Sequence, residues 1–87
     1  MEGHSHIAGD VLARYAGDAA TDVPGVRALV GRHAVRVEAD RIELHLGVEW
    51  GVSIPDVAET VQRRVAEYLA RMADVRPAVD VVVEEVT

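Results

Sequence analysis

The chain has 87 residues, enough for one small folded unit, and its hydrophobic content of 49% can supply a core. Aromatic residues make up only 3% and cysteine is absent, which excludes disulfides and thiolate chemistry. The net charge of −6 opposes contact with nucleic-acid phosphate. Because no apolar run reaches about 18 residues and the first six residues lack the pattern of a signal peptide, we expect a cytoplasmic protein without direct membrane insertion.

The amino terminus is predicted to be a flexible tail over residues 1–6, followed by a single domain over residues 7–87. The tail carries His4 and His6, a spacing at which two imidazoles can hold a divalent ion. A structural or catalytic zinc site needs a third and a fourth ligand, and the tail offers no such set. We therefore predict no metal site.

The first helix is predicted over residues 10–20, where apolar residues recur at three- and four-residue steps. It is expected to end at Asp22–Gly25, because the residue before a proline avoids the α region. The following segment, Arg27–Arg32, is compatible with either a turn of helix or a loop.

A hairpin with a turn at Ala39–Asp40 follows. It predicts four cross-strand pairs: Glu38 with Arg41, Val37 with Ile42, Arg36 with Glu43, and Val35 with Leu44. The charged pairs are opposite in sign and the apolar pairs share one face, as cross-strand pairing prefers. A slip of one residue would lose all of these matches. Continued alternation predicts Leu46, Val48 and Trp50 on the buried side.

The junction between the second strand and the next helix contains Trp50, Gly51, Ser53 and Pro55. Ser53 is predicted to cap the helix, and Pro55 is compatible with its first turn, where amide groups have no helical partner. Trp50 is interpreted as a core or rim residue rather than a ligand-stacking platform, and Gly51 as a turn residue. A long helix over residues 54–72 and a last strand over residues 79–84 complete the predicted elements.

These elements predict an α+β fold, a two-layer sandwich of order helix-strand-strand-helix-strand. The sheet is expected to be three-stranded and mixed, with the second strand in the centre, the last strand parallel to it, and both helices on one face. The opposite face would then carry the charged side chains of the strands. No active-site geometry is expected on this flat, wet surface, even though His45 is flanked by Glu43 and Glu49.

The segment Glu49–Ala58 resembles the E-[YW]-G-V-S-I-P-[DE]-V-A signature of the bacterial alkaline shock proteins, also called envelope stress response proteins. Shorter matching pieces are Ile7, Asp10–Ala13, Val23–Val26, Ile42–Trp50, Val61–Gln62 and Val79–Val86. The resemblance implies a cytoplasmic interaction protein that is recruited beneath the membrane by a membrane-anchored partner and that self-associates. It implies no reaction, so we predict no catalytic residue and no cofactor.

The predicted interaction surface is the open sheet face together with the last strand, which can lie at the edge of the sheet and pair with another chain. Its candidate residues are Arg36, Glu43, His45, Glu49, Val82, Glu84 and Val86. An ordinary edge protected by its acidic residues is the alternative interpretation.

A nucleic-acid-binding module remains the alternative function, since the predicted element order is similar to that of KH-like domains. Those domains clamp the RNA backbone with a G-x-x-G loop, and this chain has none. The main basic stripe contains Arg63, Arg64 and Arg71, and Glu59 and Glu67 interrupt it.

Overall fold

The computed structural model describes residues 8–87, so the predicted tail with His4 and His6, as well as Ile7, lies outside the described residues. Two helices and four strands are present: α1 (Gly9–Thr21), β1 (Val26–Leu29), β2 (Val35–Glu38), β3 (Arg41–Val48), α2 (Ile54–Ala73) and β4 (Ala78–Val86). Within residues 8–87, neither helix combines the length and the apolar character needed to cross a bilayer.

The sheet is organised around β3, which confirms the predicted central position of this strand. Strand β4 runs parallel to β3 along its full length, whereas β1 and β2 are antiparallel to it. Because a strand has two hydrogen-bonding edges, β1 and β2 lie end to end on the edge opposite β4. His45 connects them: its N–H donates to the Ala34 carbonyl at 2.8 Å, and its carbonyl accepts from the Val30 N–H at 2.9 Å.

The prediction of three strands is wrong, because the segment interpreted as a helical turn or loop contains most of a fourth strand, β1. This strand is only four residues long and interrupted by a register shift between Val26 and Ala28. Its order depends on antiparallel pairing with the distant end of β3, from Leu46 to Val48. A strand this short has too little alternation to be recognised from the sequence. With β1 included, the observed order of elements is helix-strand-strand-strand-helix-strand.

The predicted hairpin register is confirmed at all four positions, from Val35 opposite Leu44 to Glu38 opposite Arg41. The turn at Ala39–Asp40 is also confirmed. Here the sequence pattern was sufficient because the two strands are adjacent in the chain and one face is apolar, so only one register places every apolar side chain in the core.

The core lies between the sheet and the two helices, which both cover the same face. Its fully buried members on β3 are Ile42, Leu44, Leu46 and Val48, the alternate residues of one strand face. The helices contribute Ala16 and Ala20 from α1 and Val57, Val61, Val65 and Leu69 from α2. The small residues of α1 and the valines of α2 suit close approach of the two layers.

The junction into α2 is built largely as predicted. The Ser53 hydroxyl accepts a hydrogen bond from the Asp56 N–H at 3.4 Å, and Pro55 lies in the first turn. Gly51 adopts a φ of +94°, which the left-handed turn requires.

The prediction that Trp50 lies on the buried side is wrong, since this residue is 83% exposed. Strand β3 ends at Val48, and Trp50 lies in the turn that follows. Its N–H donates to the Thr87 carbonyl at 2.9 Å, so the main chain is held at the sheet margin while the ring extends into solvent. The alternation that placed Trp50 inside does not continue beyond the end of the strand.

Candidate functional site

The candidate site is the open face of the sheet, opposite the helices. Directly opposed residues in a ladder direct their side chains to the same face. The registers place Arg36 opposite Glu43, Glu43 opposite Asp80, and His45 opposite Val82. Side chains from three strands therefore form one polar surface. Its members are Arg36, Glu38, Arg41, Glu43, His45, Asp80, Val82 and Glu84.

His45 is at the centre of this face and contacts two carboxylates. Its Nδ1 lies 2.6 Å from Glu84 Oε2 on β4, and its Nε2 lies 2.5 Å from Glu43 Oε2 on β3. An ionised carboxylate only accepts hydrogen bonds, so both ring nitrogens must donate. Both contacts are therefore made by the imidazolium form. Accordingly, the hydrogen bond to Glu84, followed by that to Glu43, raises the pKa of His45 above its ordinary value of 6.5.

We expect stability to depend on pH through His45. A pKa that is higher in the folded than in the unfolded state adds stability below the ordinary pKa, and this contribution is lost as pH rises through the folded-state value. The free energy of unfolding, measured with urea between about pH 5.5 and about pH 9, should therefore decrease as the pH rises above the ordinary pKa of 6.5. In a His45→Gln variant the decrease should be smaller. Parallel profiles for the two proteins would contradict the assignment.

The two carboxylates lie at opposite nitrogens of the His45 ring, so the three groups do not converge on one point. Both nitrogens are occupied, and the cluster offers no free base beside a nucleophile. Among residues 8–87, no group of three or more His, Asp or Glu side chains is arranged to hold a metal ion. The geometry indicates a surface on which charged side-chain contacts hold β4 against β3.

A second contact of this kind joins Arg41 of β3 to Asp80 of β4, with Arg41 Nη1 2.6 Å from Asp80 Oδ2. Both side chains are about half exposed, and surface ion pairs stabilise a fold by at most about 1 kcal/mol. The pair is therefore more informative about the distribution of charge over the strands than about stability. Both cations, Arg41 and His45, are on the central strand, and each contacts one acid of the outer strand, Asp80 or Glu84.

The structure brings together five of the seven predicted surface residues: Arg36, Glu43, His45, Val82 and Glu84 share the open face. Glu49 is exposed but follows the end of β3. Val86 is opposite Val48, whose side chain is in the core, so Val86 lies on the helix side of the sheet.

The displacement of Val86 results from a bulge that the sequence pattern does not reveal. The register shifts after the pair Leu46–Val83, so that Glu85, and not Glu84, is opposite Gly47. A bulge inserts one extra residue and reverses the alternation beyond it. Glu85 thereby joins the open face, where a Cβ placed on Gly47 would lie 3.7 Å from the Glu85 Cβ. Glu85 is thus the surface residue that the sequence-based prediction missed.

The outer edge of β4 is the remaining feature of the site. Ala78 donates its N–H to the Asp40 carbonyl at 2.9 Å, toward β3. Main-chain groups alternate in direction along a strand, so those of Val79, Val81 and Val83 point away from the sheet. The Val79 carbonyl accepts from Gln62 Nε2 at 3.1 Å. Across residues 8–87, no hydrogen bond is found to the outward groups of Val81 and Val83.

Comparison of the sequence with known protein families establishes the family of this chain. Residues 34–87 match the alkaline shock protein 23 family, which is described as having a cell envelope-related function. The chain belongs to this family. The match begins at Ala34, just before β2, and includes β3, the Trp50–Pro55 junction, α2 and β4, which together carry most of the open face. The predicted resemblance is thus confirmed. No curated protein sequence matches the chain.

Solved structures that resemble this alkaline shock family member include several forms of the MamM CTD. A double-substitution variant has a TM-score of 0.66 and 20% identity, covering 91% of this chain and 84% of that one. The copper form has a TM-score of 0.62 and 22% identity, with coverage of 88% and 85%. The nickel form of another variant has a TM-score of 0.57 and 19% identity, with coverage of 87% and 96%. At these identities the likeness concerns the fold alone.

Proposed function

We propose that this domain is a non-enzymatic interaction module of the cell envelope, which acts in the cytoplasm and is recruited to the membrane by a membrane-anchored protein partner. The observation that carries the proposal is the match of residues 34–87 to a family with a cell envelope-related function. Recruitment by an anchored partner is consistent with the absence of a membrane-spanning helix within residues 8–87.

The surface geometry supports an interaction role in preference to a catalytic one. The polar groups of the open face pair with one another on a flat sheet, whereas an enzyme site needs polar groups that converge in a concave pocket. The partly open outer edge of β4 and the exposed ring of Trp50 are features that protein partners use. A strand edge offers main-chain hydrogen bonds, and tryptophan is enriched at the centres of interfaces.

The test is an affinity purification of the tagged protein from its own cells after gentle solubilisation of the membranes, with the tag alone as control. We expect reproducible enrichment of a membrane-anchored protein. Enrichment of RNA or ribosomal material that survives moderate salt would overturn the proposal in favour of nucleic-acid binding, and charge reversal at Arg63 and Arg64 should then abolish it.

Self-association is tested separately by light scattering over a range of concentrations. If copies of the chain pair through β4, the mass should rise with concentration, and Val82→Lys should lower it. Val82 is a suitable position because it is 37% exposed on the open face, so the substitution adds a charge at the contact without opening the core. A mass that stays monomeric at every concentration would exclude this mode of assembly.

A further inference from the structure

The outer edge of β4 is only partly protected. The side-chain amide of Gln62 on α2 donates a hydrogen bond to the Val79 carbonyl, so this acceptor at the beginning of the edge is not available to an added strand. Farther along, Val81 and Val83 direct two N–H groups and two carbonyls away from β3. Uncovered main-chain groups of this kind are a template for an added strand. The edge is therefore open over its central part and closed at the end nearest the α2–β4 connection.

The side chains around this opening are acidic. Strand β4 contains Asp80, Glu84 and Glu85 and no basic residue. Their balancing cations, Arg41 and His45, are on β3, one strand farther from the edge. Glu85 has no ion pair within residues 8–87. A strand added beside β4 would thus meet a column of carboxylates first on the open face.

On the helix side of the same edge, the side chains of β4 itself are apolar. Val79, Val81 and Val83 alternate with the open-face residues and pack partly buried against the core. An added strand would continue this alternation, with apolar residues beside these valines and polar residues beside the acids. Both faces of the edge thus specify the chemistry of the segment that fits.

We propose that the partner adds an extended segment to the outer edge of β4 as a further strand, and that this segment carries Arg or Lys at alternate positions with apolar residues between them. The inference rests on the proposed function and specifies how the partner is held. Opposite charges at directly opposed positions favour the pairing, and main-chain hydrogen bonds to Val81 and Val83 supply the remaining part of the binding free energy.

A second copy of β4 fits this edge less well than a basic segment does. Antiparallel pairing centred on Val82 would place Asp80 of each copy opposite Glu84 of the other. Like charges directly opposed destabilise a ladder. The acidic column therefore favours a basic strand from a different protein.

The binding test uses three synthetic peptides of nine residues, the length of β4. One alternates Val and Arg, one alternates Val and Glu, and the third is the Val–Arg peptide with every backbone amide N-methylated, so that neither hydrogen-bonding edge can donate although the charge is the same. The Val–Arg peptide should bind at least about tenfold more tightly than the others. It should also slow hydrogen exchange at the Val81 and Val83 amides.

Two charge reversals separate edge binding from general attraction to an acidic protein. Glu85→Lys changes the charge at the edge, whereas Glu67→Lys makes the same change in the cleft between α1 and α2. Glu85→Lys should weaken binding of the Val–Arg peptide severalfold and Glu67→Lys should have little effect. Equal effects of the two reversals would overturn the proposal, as would equal binding of the N-methylated peptide.

Without peptide, protection of the Val81 and Val83 amides from hydrogen exchange that rises with protein concentration would show that a second copy occupies the edge. This result would also overturn the proposal. The affinity purification distinguishes this failure from that of the proposed function. If wild type and Glu85→Lys capture the same membrane-anchored protein equally, the edge inference fails and the proposed function stands. If neither captures such a protein, the proposed function fails.

Discussion

Leu44→Ala is expected to lower the free energy of unfolding by about 2–5 kcal/mol, the usual cost of truncating a buried leucine. Leu44 is fully buried at the middle of the central strand, between Val35 of β2 and Val81 of β4. Its truncation would leave a cavity bordered by both neighbouring strands. Since a domain of this size is stable by only about 5–15 kcal/mol, a large part of its stability would be lost.

The measurement is urea denaturation of wild type, Leu44→Ala and Leu44→Ile. The isoleucine variant keeps the volume and should cost less than about 1.5 kcal/mol, so it controls for the change of side chain itself. The midpoint should fall strongly only for the alanine variant, with the denaturant dependence unchanged. Equal midpoints for the two variants would mean that the core tolerates a cavity at this position.

Gly25→Ala is expected to destabilise the domain by about 1–3 kcal/mol for two reasons. Gly25 has a φ of +96°, in the region that residues with a Cβ avoid. A Cβ at this position would also lie only 3.1 Å from Cγ2 of Val57 and 3.4 Å from Cγ1 of Val52. Val57 is part of the core, so it has little freedom to move away.

Gly51→Ala is the matched control, because Gly51 has a φ of +94° but no atom within 4 Å of an added Cβ. The two variants share the backbone cost and differ in the contact. Thermal or urea unfolding should therefore rank Gly25→Ala as the less stable protein. If the two were equally destabilised, the close approach to Val57 would contribute nothing.

The candidate site was predictable where it depends on neighbouring parts of the chain. The hairpin register placed Arg36 opposite Glu43 correctly, because both residues lie close to one turn and their apolar neighbours must face the core. The contact between His45 and Glu84 joins residues 39 positions apart. Sequence analysis placed both on the open face but could not predict that Glu84, rather than Glu49, would be the second partner of the imidazole.

The sequence by itself determined the features that local chemistry controls: the two helices, the Ser53 cap, the turn glycines, the hairpin register and the family. Each depends on residues a few positions apart, and the apolar period or a single side chain decides it. Only the tertiary structure decided β1, the exposure of Trp50, and the bulge that moves Glu85 onto the open face and Val86 off it. These features depend on pairing between strands that are distant in the chain. Where such pairing ends or changes register is decided by the neighbouring strands, and the local apolar period of the sequence does not encode it.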